Sequence, residues 1–399
     1  MRKKYKYVYI IFILFILAYS LLGFSNSTAI DSLAYALAIG IDTSETSDYK
    51  FTFQFSKATK SSENVEDSSY IYSVDSSSLD SAIELLSSYI SRQINLSHCK
   101  IVVISEEVAS LGIEKHISTL MNSVEIRPDI SIIISKTDGE KFIENATSKF
   151  ETLISTYYEL ATGANNYTSY TDYVELSEFF NKSQSYSIEP YAILGNVYNA
   201  KSDDGNFSTS KVEQSKLNNG TGIEIMGLAV FKENKLVGEL SAIQTIAHLL
   251  VCNKLETCIV TIQNPLDKGE FIDLFLYNES TPKISVKFIN NTPFVSVNLK
   301  VDAKILSSSS ANNLNDDYFH IVAEELNKYL SDIVKDYLYT ISKDYNSDIA
   351  GIGKFAAKNF LTIDEFENCN WLDNFKDCFF DVSVDSNVIS ELLLNWQQD

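Results

Sequence analysis

Basic residues are scarce in this sequence, and their scarcity excludes one large class of partners. The 399 residues include 32 lysines and arginines against 53 aspartates and glutamates, a formal net charge of −21. Four of the bases precede the first apolar run, which leaves 28 bases against 53 acids and a charge of −25 on the remainder. Such a surface repels phosphate backbones and anionic lipid head groups. We therefore expect no nucleic-acid partner and interpret the charge as a means of keeping the protein soluble.

Recognisable catalytic motifs are also missing. The four histidines are His98, His116, His248 and His320. None of them lies in an HExxH helix or beside a recognisable Ser or Cys nucleophile motif. His98 and Cys99 are adjacent, and adjacent strand residues point to opposite faces, so a shared metal is not expected. His248 falls inside a predicted helix, where a packed or surface position is favoured over a ligating one.

Paired carboxylates and a glycine pair do not supply the missing chemistry. Glu106-Glu107 and Glu324-Glu325 are adjacent, and adjacent helical side chains diverge by about 100°, so neither pair forms an acid/base couple by itself. The Gly351-x-Gly353 pair is too short for a phosphate loop and has no Lys-Ser/Thr after it. We therefore predict a protein that is not an enzyme, with no catalytic residue, cofactor or metal site.

Cysteine is represented by five scattered residues: Cys99, Cys252, Cys258, Cys369 and Cys378. An odd number outside the membrane leaves at least one thiol unpaired. Cys252 and Cys258 are near enough in sequence to bridge a short loop, and so are Cys369 and Cys378. Neither spacing resembles the CxxC pairs of a zinc site. Small buried apolar residues are the favoured interpretation, and disulfides remain the alternative.

One long uncharged run is present, from Tyr7 to Phe24, directly after Arg2, Lys3, Lys4 and Lys6. As a helix its 18 residues would reach about 27 Å, close to the thickness of a bilayer core. The basic flank predicts that everything after the run is exported. Cleavage near Ser25-Asn26-Ser27 is one outcome, and retention as an N-terminal membrane anchor is the outcome that we favour because the run is long for a signal peptide.

Composition divides the remainder into two regions. The sequence predicts an anchor or signal segment over 1–27, an N-terminal α+β region over 28–200 that contains one or two domains, and a C-terminal α+β domain over 223–399. Between them, residues 201–222 are polar and predict a linker. The fold class that follows is α+β and multi-domain, with mixed or antiparallel sheets covered by helices.

Hydrophobic periodicity places the elements of the N-terminal region. Apolar runs predict strands over Ala34–Ile41, Lys100–Ile104 and Asp129–Ser135, and strict alternation predicts another over Tyr49–Ser56. Lys57–Ser69 is interpreted as a surface loop. The 3.6-residue period predicts helices over Asp80–Ile94 and Ile113–Met121, a separate turn over Glu107–Leu111, and helical segments over Gly139–Thr147, Glu151–Ala161 and Asp172–Lys182.

The C-terminal region begins with a predicted hairpin, Gly227–Phe231 and Lys235–Glu239, whose turn tolerates a left-handed conformation at Asn234. A capping box at Ser241 predicts a helix to Val251. Further strands are predicted over Cys258–Gln263, Lys283–Ile289 and Phe294–Ile305, with a final one over Phe379–Val384 and a short helical tail. The longest helix is predicted over Asp316–Ser342, as a cover for this region's own sheet rather than a coiled-coil partner.

Four segments in this order resemble the Ger(x)C family of spore germination proteins, the C subunits of germinant receptors. They are Ala36–Asp42 with Lys50–Gln54, Leu96–Glu107 continuing to Val124–Asp129, Gly227–Gly238, and Asp348–Gly353 with Trp371, Phe375 and Asp381–Val384. Each segment is weak alone, but four at suitable intervals are specific. Arg127, within the second, is expected either to pair with Glu125 or Asp129 or to be solvated.

The sequence departs from the family pattern at one position. Family members carry a lipobox that ends in Leu-x-Gly-Cys, and its cysteine receives the lipid. The equivalent residues here are Leu21-Leu22-Gly23-Phe24, and no cysteine precedes Cys99. Phenylalanine has no thiol to acylate, so we predict that Tyr7–Phe24 itself anchors the chain.

The resemblance implies a non-enzymatic subunit with α+β architecture in three domains, on the outer face of the spore inner membrane. It also implies two membrane-embedded partners, the A-type and B-type receptor subunits, with which it would respond to small nutrients. The alternative is a membrane-tethered extracellular protein that binds a solute or polysaccharide, suggested by the tyrosines of Tyr157–Tyr191. A cell-wall hydrolase is a third hypothesis, which the missing motifs disfavour.

Overall fold

Two β-sheets covered by helices form the body of the protein in a computed structural model. The residues described are 5, 7, 11–16, 32–56, 69–147, 150–164, 167–199, 221–267, 269–277, 280–308 and 316–390. Of the predicted anchor, residues 7 and 11–16 are helical and exposed, and the rest lies outside the described residues. Within the described ranges, no helix has both the length and the apolar character needed to span a bilayer.

The larger sheet has nine strands and a parallel centre. In chain order they are β1 (Leu33–Thr43), β2 (Tyr49–Ser56), β3 (Ser69–Ser76), β4 (Gln93–Asn95), β5 (Ile101–Ser105), β6 (Ser131–Ser135), β7 (Tyr191–Asn199), β8 (Thr221–Lys232) and β9 (Lys235–Leu240). Their spatial order is β3-β2-β1-β5-β6-β7-β8-β9, with β4 beside β1. The neighbours from β1 to β7 run parallel, and the outer pairs are antiparallel. β5 and β6 are buried along their whole length, as expected for parallel strands with both faces covered.

Six helices accompany this sheet: α1 (Leu79–Ile90), α2 (Glu106–Leu111), α3 (Glu114–Asn122), α4 (Gly139–Asn145), α5 (Ile154–Thr162) and α6 (Leu176–Ser183). The predicted separate turn is confirmed as α2, which Gly112 ends at a φ of 119°. α1 begins at Ser78, whose side chain accepts from Ser81 N. Its predicted end at Ile94 is wrong, because Ser91 adopts a left-handed conformation and the chain then forms β4.

The hairpin β8–β9 extends the larger sheet, because β8 pairs with β7 along its length. Asn234 could tolerate the left-handed conformation, but in this turn Glu233 has the positive φ, at 57°. Positive φ at the first turn residue suits the twist of a two-residue hairpin, and the Glu233 N–H is held by the Glu189 carboxylate at 2.7 Å. Residues 57–68 of the predicted loop and 201–220 of the predicted linker lie outside the described residues.

The smaller sheet has five strands: β10 (Thr257–Gln263), β11 (Phe271–Tyr277), β12 (Lys283–Ile289), β13 (Thr292–Ser308) and β14 (Phe379–Ser390). The long β13 pairs with β11 and β12 on one side and with β14, in parallel, on the other. Asn290 and Asn291 form the predicted turn between β12 and β13, with φ of 50° and 64°. β14 continues past its predicted end at Val384 to Ser390, where a helical tail was predicted, and residues 391–399 lie outside the described residues.

Five further helices complete the fold: α7 (Ala242–Val251), α8 (Asp316–Tyr339), α9 (Gly353–Ala356), α10 (Ile363–Asn368) and α11 (Trp371–Asn374). The capping box at the start of α7 is confirmed, with reciprocal bonds between Ser241 and Gln244. α8 continues into a π-helical turn, Thr340–Asp344. The predicted core role of α8 is confirmed, because its apolar stripe is buried and Ser331 and Ser386 join it to β14.

Candidate functional site

A groove lies where β9, the edge strand of the larger sheet, meets α8. Its volume is about 1080 Å³, and its walls come from α2, β9, the start of α7, the outer face of α8 and the π-helical turn. Gly238 permits this arrangement, since a Cβ there would overlap the Tyr345 ring. The Tyr345 hydroxyl donates to the Glu239 carbonyl at 2.9 Å, so the ring ties the end of α8 to the edge strand.

Carboxylates dominate the groove. Its lining holds five acids and one lysine, which are Glu106, Glu239, Asp332, Asp336, Asp344 and Lys136. The Lys136 Nζ contacts both oxygens of Glu239, at 2.6 and 2.7 Å. Over the described ranges, no lysine or arginine forms an ion pair with the other four acids. The groove therefore has a net charge of −4 on its lining and favours positively charged groups.

Apolar side chains interrupt the carboxylates along the groove. Val237 is 39% exposed and lines the groove beside the half-buried Ile333 and Tyr329. The volume is at the upper end for small-molecule pockets, which are about 300–1,000 Å³. An open site of this size, with acidic and apolar walls, suits a segment of another protein that carries basic and apolar residues.

A partly buried ionic network joins the two regions of the chain. Lys254, after α7, contacts Asp172 at 2.7 Å and Glu178 at 3.1 Å, and the Tyr191 hydroxyl lies 2.8 Å from its Nζ. Tyr191 also donates to Asp172, at 2.7 Å. Burial alone would raise the pKa of Glu178, but Lys182 and Lys254 outweigh it and hold the pKa below its ordinary value. The network fixes α6 against α7 and is most simply structural.

His248 packs beside this network. It is fully buried, its Nδ1 lies 2.7 Å from the Tyr337 hydroxyl, and its ring meets Tyr191 edge to face. Burial lowers the pKa of His248 well below its ordinary value, and the nearby lysines act in the same direction. The neutral imidazole forms one hydrogen bond with a tyrosine and packs in the core. This agrees with the packed or surface position that the sequence favoured over a ligating one.

The other histidines are far from one another. His98 is exposed and rests on Tyr35, with ring centroids 4.5 Å apart, while the adjacent Cys99 is buried, so the two diverge as predicted. His116 is buried against Tyr49, and burial lowers its pKa to about 4. His320 is exposed near the start of α8. Each histidine therefore occupies its own environment.

The paired carboxylates also separate. Glu106 lines the groove, whereas Glu107 accepts from the Thr43 hydroxyl at 2.7 Å. Arg127 pairs with Asp129, one of the two partners that the sequence left open. Glu125, the other, accepts from the Leu96 N–H at 2.9 Å.

All five cysteines are present as free thiols in the structure. Cys99, Cys258 and Cys378 are buried, as the favoured interpretation expected, and the other two are partly exposed. Burial raises the pKa of Cys252 to about 12. Among the described residues, no group of three or more metal-binding side chains converges.

Comparison with known proteins identifies the family. Residues 26–195 match "Spore germination protein N-terminal domain", and residues 226–391 match "Spore germination B3/ GerAC like, C-terminal". This chain belongs to the Ger(x)C family of spore germination proteins. No curated protein matches it. The solved structure "Crystal Structure of the GerBC protein" superposes with a TM-score of 0.53 at 16% identity, over 88% of this chain and 96% of that chain.

Family membership confirms the resemblance and the predicted α+β fold. Ger(x)C proteins are C subunits of spore germinant receptors and associate with the membrane. The family segments can now be located in the fold. Two of them contain a buried aspartate, and both aspartates accept hydrogen bonds from backbone N–H groups.

Asp42 closes the first family segment, at the end of β1. It is 2% exposed, and its two oxygens accept from the Gly139 and Glu140 N–H groups at 2.6 and 3.0 Å. Burial raises the pKa of Asp42, while these two bonds oppose the rise. The carboxylate therefore caps the start of α4. Because Asp42 is far from α4 in sequence, a local capping pattern could not predict this cap.

Asp348 opens the last family segment of this Ger(x)C protein, and its carboxylate also accepts hydrogen bonds from backbone N–H groups. Its oxygens accept from Ile352 N at 3.0 Å, Gly353 N at 2.7 Å and Trp371 Nε1 at 2.8 Å. Gly351 has a φ of 68°, and a Cβ on Gly353 would overlap the Ser187 carbonyl oxygen. The two glycines thus form a tight connection around a buried carboxylate, and not a phosphate loop.

The tyrosine-rich stretch 157–191 is divided between core and surface. Tyr158, Phe179 and Tyr191 are buried, and the Tyr158 hydroxyl donates to Gln54 at 2.6 Å. Tyr167 and Tyr186 are 71% and 64% exposed. Two separate exposed rings are a weaker basis for sugar binding than the sequence suggested.

Proposed function

We propose that this chain is a non-enzymatic, membrane-anchored C subunit that is needed for nutrient-triggered spore germination. It would act on the outer face of the spore inner membrane beside A-type and B-type membrane subunits. The observation that carries the proposal is the match of both family domains over the body of the chain. Disrupting the gene in a strain without a redundant receptor should abolish germination by one class of nutrient, and an unchanged response would contradict it.

The acidic groove is the surface that we propose for contact with a receptor partner. Its occupant would be a segment of one membrane subunit that carries basic and apolar residues, because the groove lining has a net charge of −4 and apolar side chains between its acids. The subunit would then transmit ligand-dependent changes between its neighbours.

A charge reversal on α8 tests the groove. Asp332 is exposed in the groove, and Glu324 is exposed on the same helix outside it. Asp332→Lys should sharply reduce co-purification with the membrane subunits from spore membranes, while Glu324→Lys should leave it unchanged. Equal recovery of the partners with both variants would exclude the groove as the contact.

Retention of Tyr7–Phe24 as the anchor is part of the proposal, because lipidation at position 24 is chemically impossible. Mass spectrometry of the mature N-terminus should find the residues before Tyr7 still present. A mature chain that begins at Thr28 would show that the segment is cleaved.

A further inference from the structure

A second, smaller cavity lies on the far side of the β8–β9 turn from the acidic groove. Its volume is about 180 Å³, and it is bounded by the segment that precedes β7, by the β8–β9 turn, and by α10 and α11. Three segments distant in sequence therefore meet around it. We call it the Glu189 pocket, after the most buried carboxylate in its wall.

Glu189 is only 2% exposed, yet one of its oxygens is unsatisfied. Its Oε2 accepts from the Glu233 N–H at 2.7 Å. Its Oε1 is fully buried and has no hydrogen-bond partner in the part of the chain that the structure describes. A buried carboxylate oxygen without a donor is unfavourable and rare in folded proteins. The missing partner is a hydrogen-bond donor of a size that the cavity admits.

The charge around the pocket specifies the kind of donor. Three further acids line it, namely Glu233, Glu367 and Asp373, against the single base Lys232. The Lys232 Nζ lies 3.4 Å from Asp373 Oδ1 and 3.4 Å from two backbone carbonyl oxygens, so its contacts go to these acceptors and leave Glu189 Oε1 without a hydrogen bond. Four acids and one base leave a net charge of −3 on the lining, which favours a cationic donor.

Apolar walls complete the pocket. The rings of Phe366 and Trp371 line it and are 6% and 2% exposed. Trp371 is held in place by its bond to Asp348 at 2.8 Å. A rigid aromatic wall beside a buried carboxylate matches a ligand with a short hydrocarbon stem and a charged end.

We propose that the Glu189 pocket binds a primary ammonium or guanidinium group on a short apolar stem, with Glu189 Oε1 accepting a hydrogen bond from the cation. Free amines and the lysine or arginine side chains of a partner share this chemistry. The pocket is separate from the acidic groove, so the inference does not depend on the proposed function.

The ionisation of Glu189 supplies a second signature of binding. Burial raises its pKa to about 7, and the groups that face it are Lys232, which opposes the rise, and Glu233 and Asp348, which add to it. A carboxylate binds a cation better than a carboxylic acid does. Affinity should therefore rise roughly tenfold between pH 6 and pH 8, because the ionised fraction of a group that titrates near 7 rises by that factor.

Tryptophan fluorescence gives a direct test on the full chain in non-ionic detergent. The sequence has two tryptophans, Trp371 in the pocket and Trp396 outside the described residues. The Trp396→Phe variant makes Trp371 the sole reporter, and butylammonium chloride is the probe. We expect a saturable change in emission with a dissociation constant in the millimolar range, and no such change with the neutral analogue butanol.

Two glutamine substitutions separate the site from general charge effects. Glu189→Gln should weaken butylammonium binding at least tenfold at pH 8 and remove its pH dependence. Glu256→Gln removes the same charge from an exposed position outside the pocket and should change the affinity less than twofold. Circular dichroism of each variant checks that it is folded.

Titrations with further ligands identify the source of the cation, and four results would overturn the inference. Binding of Nα-acetyl-lysine methylamide as well as butylammonium would indicate a side chain of a partner, and binding of butylammonium alone would indicate a free amine. No saturation, an equal response to butanol, tighter binding of calcium chloride, or an unaltered affinity in Glu189→Gln would each refute an organic-cation site. In the first case the cavity holds only water.

Discussion

Replacing Trp371 by phenylalanine tests whether the indole N–H stabilises the buried Asp348 carboxylate. The bond is 2.8 Å long, both side chains are buried, and two backbone N–H groups hold the rest of the carboxylate. A hydrogen bond to a charged group contributes about 1.5–3 kcal/mol. The smaller ring also buries roughly 40 Å² less apolar surface, about 1 kcal/mol. The expected loss of unfolding free energy is therefore about 2.5–4 kcal/mol at pH 8.

The loss should depend on pH in a defined direction. Burial raises the pKa of Asp348 to about 6, and the Trp371 bond opposes that rise by stabilising the ionised form. Above pH 6 the bond acts on a carboxylate, so its removal costs most there. At pH 5 the folded protein has largely protonated Asp348, and the cost should fall to about 1–2 kcal/mol, mainly from packing.

Urea unfolding of residues 28–399, followed by circular dichroism at pH 5 and pH 8, measures both quantities. Phe366→Leu is the matched control, because it reduces a buried ring that forms no hydrogen bond and should cost about 1 kcal/mol at either pH. A loss below about 1 kcal/mol for Trp371→Phe at pH 8, or the same loss at both pH values, would refute the reasoning.

Three other substitutions follow from the same structure. Gly353→Ala should cost about 1–3 kcal/mol in urea unfolding, because its Cβ would overlap the Ser187 carbonyl oxygen; a neutral effect would mean that the connection can shift. Lys254→Ala should cost about 2–4 kcal/mol by leaving the buried Asp172 without its cation, and the double variant with Asp172→Asn should recover part of this loss if the pair is coupled. Glu189 has a pKa of about 7 in the fold, above its ordinary value of 4.5, so its contribution to stability is lost as pH rises from about 4.5 to 7. Glu189→Gln should therefore flatten the stability profile over that window by up to about 3 kcal/mol, and an unchanged profile would show that Glu189 is not the group that titrates.

Elements with a local signature were predictable from the sequence. The capping box at Ser241, the asparagine turn before β13 and the apolar stripe of α8 were each predicted and found. Their causes are local, since capping, turn conformation and helical period depend on residues within a few positions.

Four strands were missed: β4, which replaces the predicted end of α1, and three others, β3, β7 and β11. β3 is an edge strand with mostly exposed side chains, so its burial leaves little pattern in the sequence. β7 is paired on both sides by strands distant in sequence, and β11 lies between β10 and β13, so their partners in the sheets determine their conformation. Strand formation depends on such neighbours more than helix formation does.

The candidate sites were even less visible in the sequence. Glu239 and Asp332 meet across the groove only because the hairpin forms the edge of the larger sheet and α8 packs beside it. Glu189 had no motif around it, and its unsatisfied oxygen becomes apparent only once α11 and the β8–β9 turn enclose it. No local signal in the sequence marked Glu189, because its burial and the strand after it were apparent only in the structure.

The sequence by itself determined the acidity of the protein, the order of most helices and strands, and membership of the Ger(x)C family. Each of these follows from composition or from residues near one another in the chain. Tertiary structure decided that β8 and β9 complete the first sheet, that Asp42 caps backbone distant in sequence, that Asp348 accepts from the Trp371 indole, and that one carboxylate oxygen is buried without a donor among the described residues. Those features depend on burial and on contacts between distant segments, which no local pattern of residues encodes.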